Sequence, residues 1–130
     1  MHVLVVDDDE TVRSSLGDAL TTDGVRVSVA ACGQEALERM AADPVDLVLT
    51  DVRMPGVDGL ALLRAVRARA PAVDVVLMTA YHDPAVTLVA AREGARACLH
   101  KPLDLVDLRA LVHRLLGHRA AGDAQKILPL

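Results

Sequence analysis

Short apolar runs separated by longer amphipathic stretches recur five times along this chain, and that alternation limits the folds open to it. The runs are Val3 to Val6, Val25 to Val29, Val45 to Leu49, Val73 to Met78 and Ala95 to Leu99. The first, third and fourth are near-continuous Val and Leu, the pattern of parallel strands covered on both faces. Arg26 and Ser28 interrupt the second and Arg96 breaks the fifth, so those two belong nearer the sheet edges.

The intervening stretches carry helical spacing. Val12, Leu16, Ala19 and Leu20 line one face and end before Gly24. Ala36, Leu37 and Met40 form a second, shorter stripe closed by Pro44, and Leu60, Leu63, Val66 and Ala70 a third closed by Pro71. Asp83-Pro84 reads as a cap and first position of a fourth helix running to Gly94. Asp104 caps a fifth, with Leu105, Leu108, Val112, Leu115 and Leu116 on one stripe. Asp9 and Asp58 are placed to cap the first and third. Strand–helix alternation of this kind predicts an open parallel α/β sheet. In such sheets ligands sit at the carboxyl ends of the strands, near the switch in strand order. Asp7, Asp8, Asp51, Thr79 and Lys101 each lie just after an apolar run.

The length of 130 residues suits one domain. A net charge of −4 gives no general electrostatic reason to bind nucleic acid. No run approaches the roughly 18 apolar residues of a membrane-spanning helix. The start, MHVLVVDDDE, lacks the basic region and cleavage site of a secretory leader, so the expected location is cytoplasmic. Cys32 and Cys98 fit no metal-ligand spacing and read as reduced, small hydrophobes. With one Tyr, no Phe and no Trp, the core must be Val, Leu and Ala. The histidines at 2, 82, 100, 113 and 118 form no ligand spacing and read as surface residues. Periodicity fades after Gly117, which divides the chain into a domain over 1–117 and a tail or linker start over 118–130.

Three carboxylates brought together would repel one another unless a cation sat among them. An oxygen-only donor set of this size suits Mg²⁺, which keeps several waters and accepts a phosphate oxygen. Lys101 adds a positive charge and Thr79 a hydroxyl, both suited to phosphoryl oxygens. A carboxylate can itself act as nucleophile in phosphoryl transfer, with surrounding cations neutralising the charge that develops. Any one of these residues alone reads equally well as a turn former or a solvated charge. Their joint placement at successive strand ends does not.

VLVVDDDE, LVLTDVRMPGVDG, VVLMTAY and LHKPLD occur in this order and resemble the signature blocks of bacterial two-component response-regulator receiver domains. The resemblance spans residues 2 to about 117. It implies the flavodoxin-like fold of the chemotaxis regulator CheY: a three-layer sandwich with five parallel strands in order 2-1-3-4-5 and five helices. It also implies residue roles. Asp51 is the phospho-acceptor; Asp8, Asp51 and the backbone carbonyl of Arg53 hold Mg²⁺, with Asp7 acting through bound water. Thr79 and Lys101 meet the phosphoryl group, and Pro102 follows a cis peptide bond. Pro55 and Gly56 shape the loop beside the metal, and Gly59 lets the third helix approach. The phosphoryl group comes from a partner sensor histidine kinase. Such a domain is a phosphorelay switch and catalyses only its own phosphorylation and dephosphorylation. LTDVRMPGVDGLALLRAVRARAP and the segment from Leu77 to Asp104 look closest to receivers fused to enhancer-binding transcription activators. Whether an output domain belongs to this chain is left open by the sequence.

One position departs from the family. The aromatic residue usual three places before the lysine is Cys98, which cannot supply a bulky rotamer switch. Cys98 leaves a pseudo-receiver, an interaction module that is never phosphorylated, as the alternative reading. Tyr81, two residues past Thr79, is placed to shield an acyl phosphate or simply to lie exposed in its loop. A dehalogenase-like phosphatase is disfavoured, since its Asp-x-Asp follows the first strand and Asp51-Val52-Arg53 lacks the second acid. A dinucleotide binder needs a glycine-rich turn where Asp7-Asp8-Asp9 stands. The fifth helix carries Leu111 beside its main stripe. That apolar excess is expected to place an output domain, a partner or a homodimer contact on the face built from the fourth helix, fifth strand and fifth helix.

Overall fold

In the computed structural model, which describes residues 1–22, 24–80 and 83–121 (118–121 by backbone alone), each apolar run becomes a strand. The elements alternate without exception: β1 (His2–Val6), α1 (Glu10–Leu20), β2 (Arg26–Ala30), α2 (Gly33–Ala42), β3 (Leu47–Asp51), α3 (Gly59–Arg69), β4 (Asp74–Thr79), α4 (Pro84–Arg92), β5 (Ala97–His100) and α5 (Leu105–Ala121). The strands pair in parallel in the order β2-β1-β3-β4-β5. The interrupted runs, β2 and β5, are the two edges, as their charged and polar residues require. β1, β3 and β4 are buried along their whole length.

Alternation along the strands divides the core into two layers. Val3, Val5, Leu47, Leu49, Val76 and Met78 face α1 and α5. Leu4, Val6, Val48, Val75 and Leu77 face the other way, against Ala36 of α2, Leu62, Leu63 and Val66 of α3 and Ala90 of α4. Four carboxylates cap helix starts. Asp9 accepts from the N–H groups of Thr11 and Val12, Asp58 from Ala61, Asp83 from Ala85, and Asp104 from Val106 and Asp107. Gly24 and Gly94, at the loops after α1 and α4, have φ of 82° and 95°, a region that L side chains seldom adopt.

Three expectations are corrected. Leu111 is not surplus apolar surface: it is 6% exposed and packs in the core layer with Leu108, Val112 and Leu115. The sheet face under α5 is wide enough to take Leu108, Leu111, Val112, Leu115 and Leu116, and among the described residues the exposed large apolar side chains of this side are Leu88, Leu105 and Val106. His2 is buried rather than superficial, because β1 is a central strand. Its Nδ1 lies 3.0 Å from the Pro44 carbonyl and its Nε2 2.7 Å from Ser28 Oγ. Finally, α5 continues past Gly117 to Ala121. Tyr81, His82 and residues 122–130 lie outside the described residues.

Removing the α5 cap with Asp104→Ala is expected to cost about 1 kcal/mol. Leu115→Ala, which empties a fully buried position, is expected to cost about 2–5 kcal/mol. Urea unfolding of the two variants beside wild type measures both, and a larger loss from the cap than from the core would contradict this division.

Candidate functional site

Parallel pairing puts the carboxyl ends of all strands on one edge of the sheet, and the polar residues that follow the apolar runs gather there. Asp7 and Asp8 follow β1, Asp51 ends β3, Thr79 ends β4 and Lys101 follows β5. Register sets their depth: Asp51 pairs with Met78, and Thr79 with His100.

Asp7 is fully buried, a costly place for a carboxylate unless its oxygens are satisfied. Its Oδ1 accepts the Asp9 backbone N–H at 2.9 Å and its Oδ2 accepts Lys101 Nζ at 2.8 Å. Its backbone N–H donates to the Ala30 carbonyl at 3.1 Å, while its own carbonyl accepts Arg13 Nη1 at 2.8 Å. Asp51 is nearly as buried; its Oδ2 accepts Lys101 Nζ at 3.0 Å and its Oδ1 the Arg53 backbone N–H at 3.2 Å. One ammonium therefore bridges the two buried carboxylates. Partial burial works against the charge on Lys101, but its hydrogen bonds to Asp7 and Asp51 outweigh that and hold the lysine pKa above its ordinary value. Any stability drawn from this raised pKa is complete at neutral pH and is lost only when pH climbs through the folded-state value. The lysine is itself held in place, its backbone N–H donating to the Thr79 carbonyl at 2.8 Å, and the Lys101-Pro102 peptide is cis, as expected.

Asp8 lies exposed at the mouth of the cluster. One oxygen from each of Asp7, Asp8 and Asp51 lies within 4.8 Å of the others. Three carboxylates against one ammonium leave a local excess of negative charge. All the donors are hard oxygens and one side is open to water. That chemistry fits a small divalent cation such as Mg²⁺.

Glycines let the surrounding loops close on Asp51. A Cβ on Gly59 would lie 2.3 Å from the Asp51 carbonyl oxygen and 2.7 Å from Val52 Cα, so α3 can start where it does only with glycine there. Gly56 has φ of 75° in the loop between β3 and α3. Gly33, which the sequence did not single out, plays a matching part: a Cβ there would lie 2.5 Å from the Val57 carbonyl. Arg13 was likewise missed, since a side chain that reaches a main-chain carbonyl leaves no pattern in residue type.

Cys98 is half-buried on β5, and burial pushes its thiol pKa up, against the thiolate that redox sensing requires. Beside Lys101, an apolar groove runs between α1 and the loop after β5, lined by Val12, Leu16, Pro102, Leu103 and Leu105.

Residues 3–113 match the family model described as the response regulator receiver domain. The DNA-binding transcriptional regulator NtrC of Escherichia coli is 41% identical over 116 residues, covering 89% of this chain and 25% of that protein. The transcriptional regulatory protein ZraR of the same organism is 40% identical over 125 residues, 96% of this chain and 28% of that protein. The chain thus spans about a quarter of the length of these curated relatives. Among solved structures, a CheY-like response regulator receiver domain protein from Methanospirillum hungatei superposes with a TM-score of 0.87 at 26% identity, covering 93% of this chain and 97% of that one.

Lys101→Met is expected to strand the buried Asp7 and Asp51 charges. The loss should be about 2–3 kcal/mol, below the range for a fully buried pair because 21% of the lysine side chain stays in water. Mg²⁺ should then raise the melting temperature of the variant more than that of wild type. Thermal unfolding with and without the ion checks this, and equal shifts would contradict the bridging role.

Proposed function

This chain belongs to the response regulator receiver domain family, and from that membership we propose that it accepts a phosphoryl group on Asp51 from a partner sensor histidine kinase. The observation that carries the reading is the Lys101 ammonium shared between Asp7 and Asp51, with Asp8 open to solvent beside them. Asp8, Asp51 and the Arg53 carbonyl would hold Mg²⁺, with Asp7 acting through a bound water. The ion would supply positive charge to the oxygens of the incoming phosphoryl group.

An Asp51 carboxylate oxygen attacks phosphorus as the phosphorus–nitrogen bond to the donor imidazole breaks. The electron pair leaves with that nitrogen, which takes up a proton. Lys101 is already within hydrogen-bond distance of the nucleophile and turns its charge to the new phosphoryl oxygens. Thr79, buried at the neighbouring strand end, offers its hydroxyl to the same group. The apolar groove between α1 and the loop after β5, which Lys101 also lines, gives a donor protein a surface continuous with the site.

Phosphorylation in turn switches an output domain or partner through the face of α4, β5 and α5. Among the described residues, Leu88, Leu105 and Val106 are its exposed large apolar side chains, with Val106 73% accessible. With cysteine at position 98, the relay runs through the segment after Thr79 rather than through an aromatic rotamer. The similarity to transcriptional regulators points to a regulatory output rather than catalysis of an external reaction. The alternative, a pseudo-receiver, keeps only Cys98 in its favour.

Intact-mass measurement with phosphoramidate or acetyl phosphate and Mg²⁺ should show a single phosphoryl adduct, absent in Asp51→Asn. An unmodified wild type in the presence of Mg²⁺ would leave the pseudo-receiver reading standing. In a parallel titration, Asp8→Ala should abolish Mg²⁺ binding while Thr79→Ala largely keeps it, because only the carboxylate is a hard anionic ligand. Equal loss in the two variants would overturn this assignment of roles.

A further inference from the structure

We infer that Arg13 is a positioning residue for the acidic cluster: its guanidinium fixes the peptide between Asp7 and Asp8 and thereby sets the affinity of the site for Mg²⁺. The inference rests on the metal-dependent reading above and adds a residue that the cluster itself does not contain.

β1 ends at Val6, and Asp7 is the first residue beyond it. The Asp7 backbone N–H still reaches the Ala30 carbonyl on the neighbouring strand at 3.1 Å. Its carbonyl has passed the ladder and needs a donor from elsewhere. Arg13 Nη1 supplies that donor at 2.8 Å, in a partly buried setting where a bond from a charged group is strong. The peptide unit is planar, so anchoring the Asp7 carbonyl also orients the Asp8 N–H and sets where the Asp8 backbone begins.

That matters more for Asp8 than for Asp7. The Asp7 carboxylate is held independently, by the Asp9 N–H and by Lys101. Asp8 is exposed, and its direction follows from its backbone. Arg13 is well rooted for the task. Asp9 caps α1, and the Arg13 N–H donates to the Asp9 carbonyl at 3.0 Å. The chain thus closes a ring from Asp7 through the cap to Arg13 and back to Asp7.

A purely electrostatic role has the opposite sign. A positive charge near three carboxylates repels a divalent cation, so removing it would tighten Mg²⁺ binding. A positioning role predicts that removal weakens binding, and the two are separated by direction alone.

The test is isothermal titration calorimetry of Mg²⁺ into wild type, Arg13→Met and Arg13→Lys, which needs no phosphoryl donor. Arg13→Met should bind Mg²⁺ about tenfold more weakly, the loss typical of removing a group that orients a metal ligand. Arg13→Lys, which keeps a charged donor of similar reach, should recover most of that loss. Unchanged or tighter binding in Arg13→Met would overturn the inference, and so would equal loss in both variants, since restoring a charged donor would then confer nothing. If wild type binds Mg²⁺ but is never phosphorylated, the proposed function fails while the calorimetry still decides the role of Arg13. If Arg13→Met does not fold, Arg13→Lys and Arg13→Gln decide it: the inference requires the glutamine variant to bind more weakly than the lysine variant.

Discussion

A single ammonium shared between two buried carboxylates holds the functional end of this protein together. Asp7 has no access to water and Asp51 very little, so ionising either without a partner would cost several kcal/mol. Lys101 answers both, at 2.8 and 3.0 Å. The arrangement demands that the ends of β1, β3 and β5 meet at fixed depths, and the parallel register secures this. The hydrogen bond from Lys101 to the Thr79 carbonyl ties β4 into the same junction. Charge balance at the site, the approach of α3 over Asp51 and the geometry of the acidic turn are all consequences of how that junction is satisfied.

The site is built to be incomplete. Its buried half is neutralised by lysine and backbone donors, while its exposed half, led by Asp8, keeps an excess of negative charge that invites a cation. A cluster fully neutralised by protein would offer a cation less attraction. Glycines at 59 and 33 let the backbone close around Asp51 and Val57 where any side chain would collide. The strand ends sit at fixed register in the sheet, whereas α4 contributes one fully buried residue, Ala90.

The α4–β5–α5 side illustrates how tertiary packing can redistribute a pattern. Read as a sequence, Leu111 widened the α5 stripe beyond need. In the folded protein the sheet absorbs it, and among the described residues the exposed large apolar side chains of this side are Leu88 on α4 and Leu105 and Val106 on the first turn of α5. Cys98 replaces the family's aromatic residue with a half-buried thiol whose proton is held by burial. Its contribution is packing between α4 and the sheet, not the sweep of a ring.

The order of elements, the edge positions of β2 and β5, the aspartate caps and the identity of the clustered residues were all legible in the sequence. Each depends on local rules: apolar alternation, capping chemistry, and the placement of charge immediately after a buried run. Four motif blocks in order carried the family. Tertiary structure alone decided three other matters. The first is which residues a wide sheet face can bury, since Leu111 and His2 differ from surface residues only in what the sheet and its neighbouring strands bring against them. The second is the pairing of Lys101 with both Asp7 and Asp51, which joins residues from opposite ends of the chain. The third is the reach of Arg13 back to the Asp7 carbonyl. A hydrogen bond from a side chain to a main-chain oxygen leaves no signature in residue type, because every residue has that oxygen, and only the path of the backbone brings donor and acceptor together.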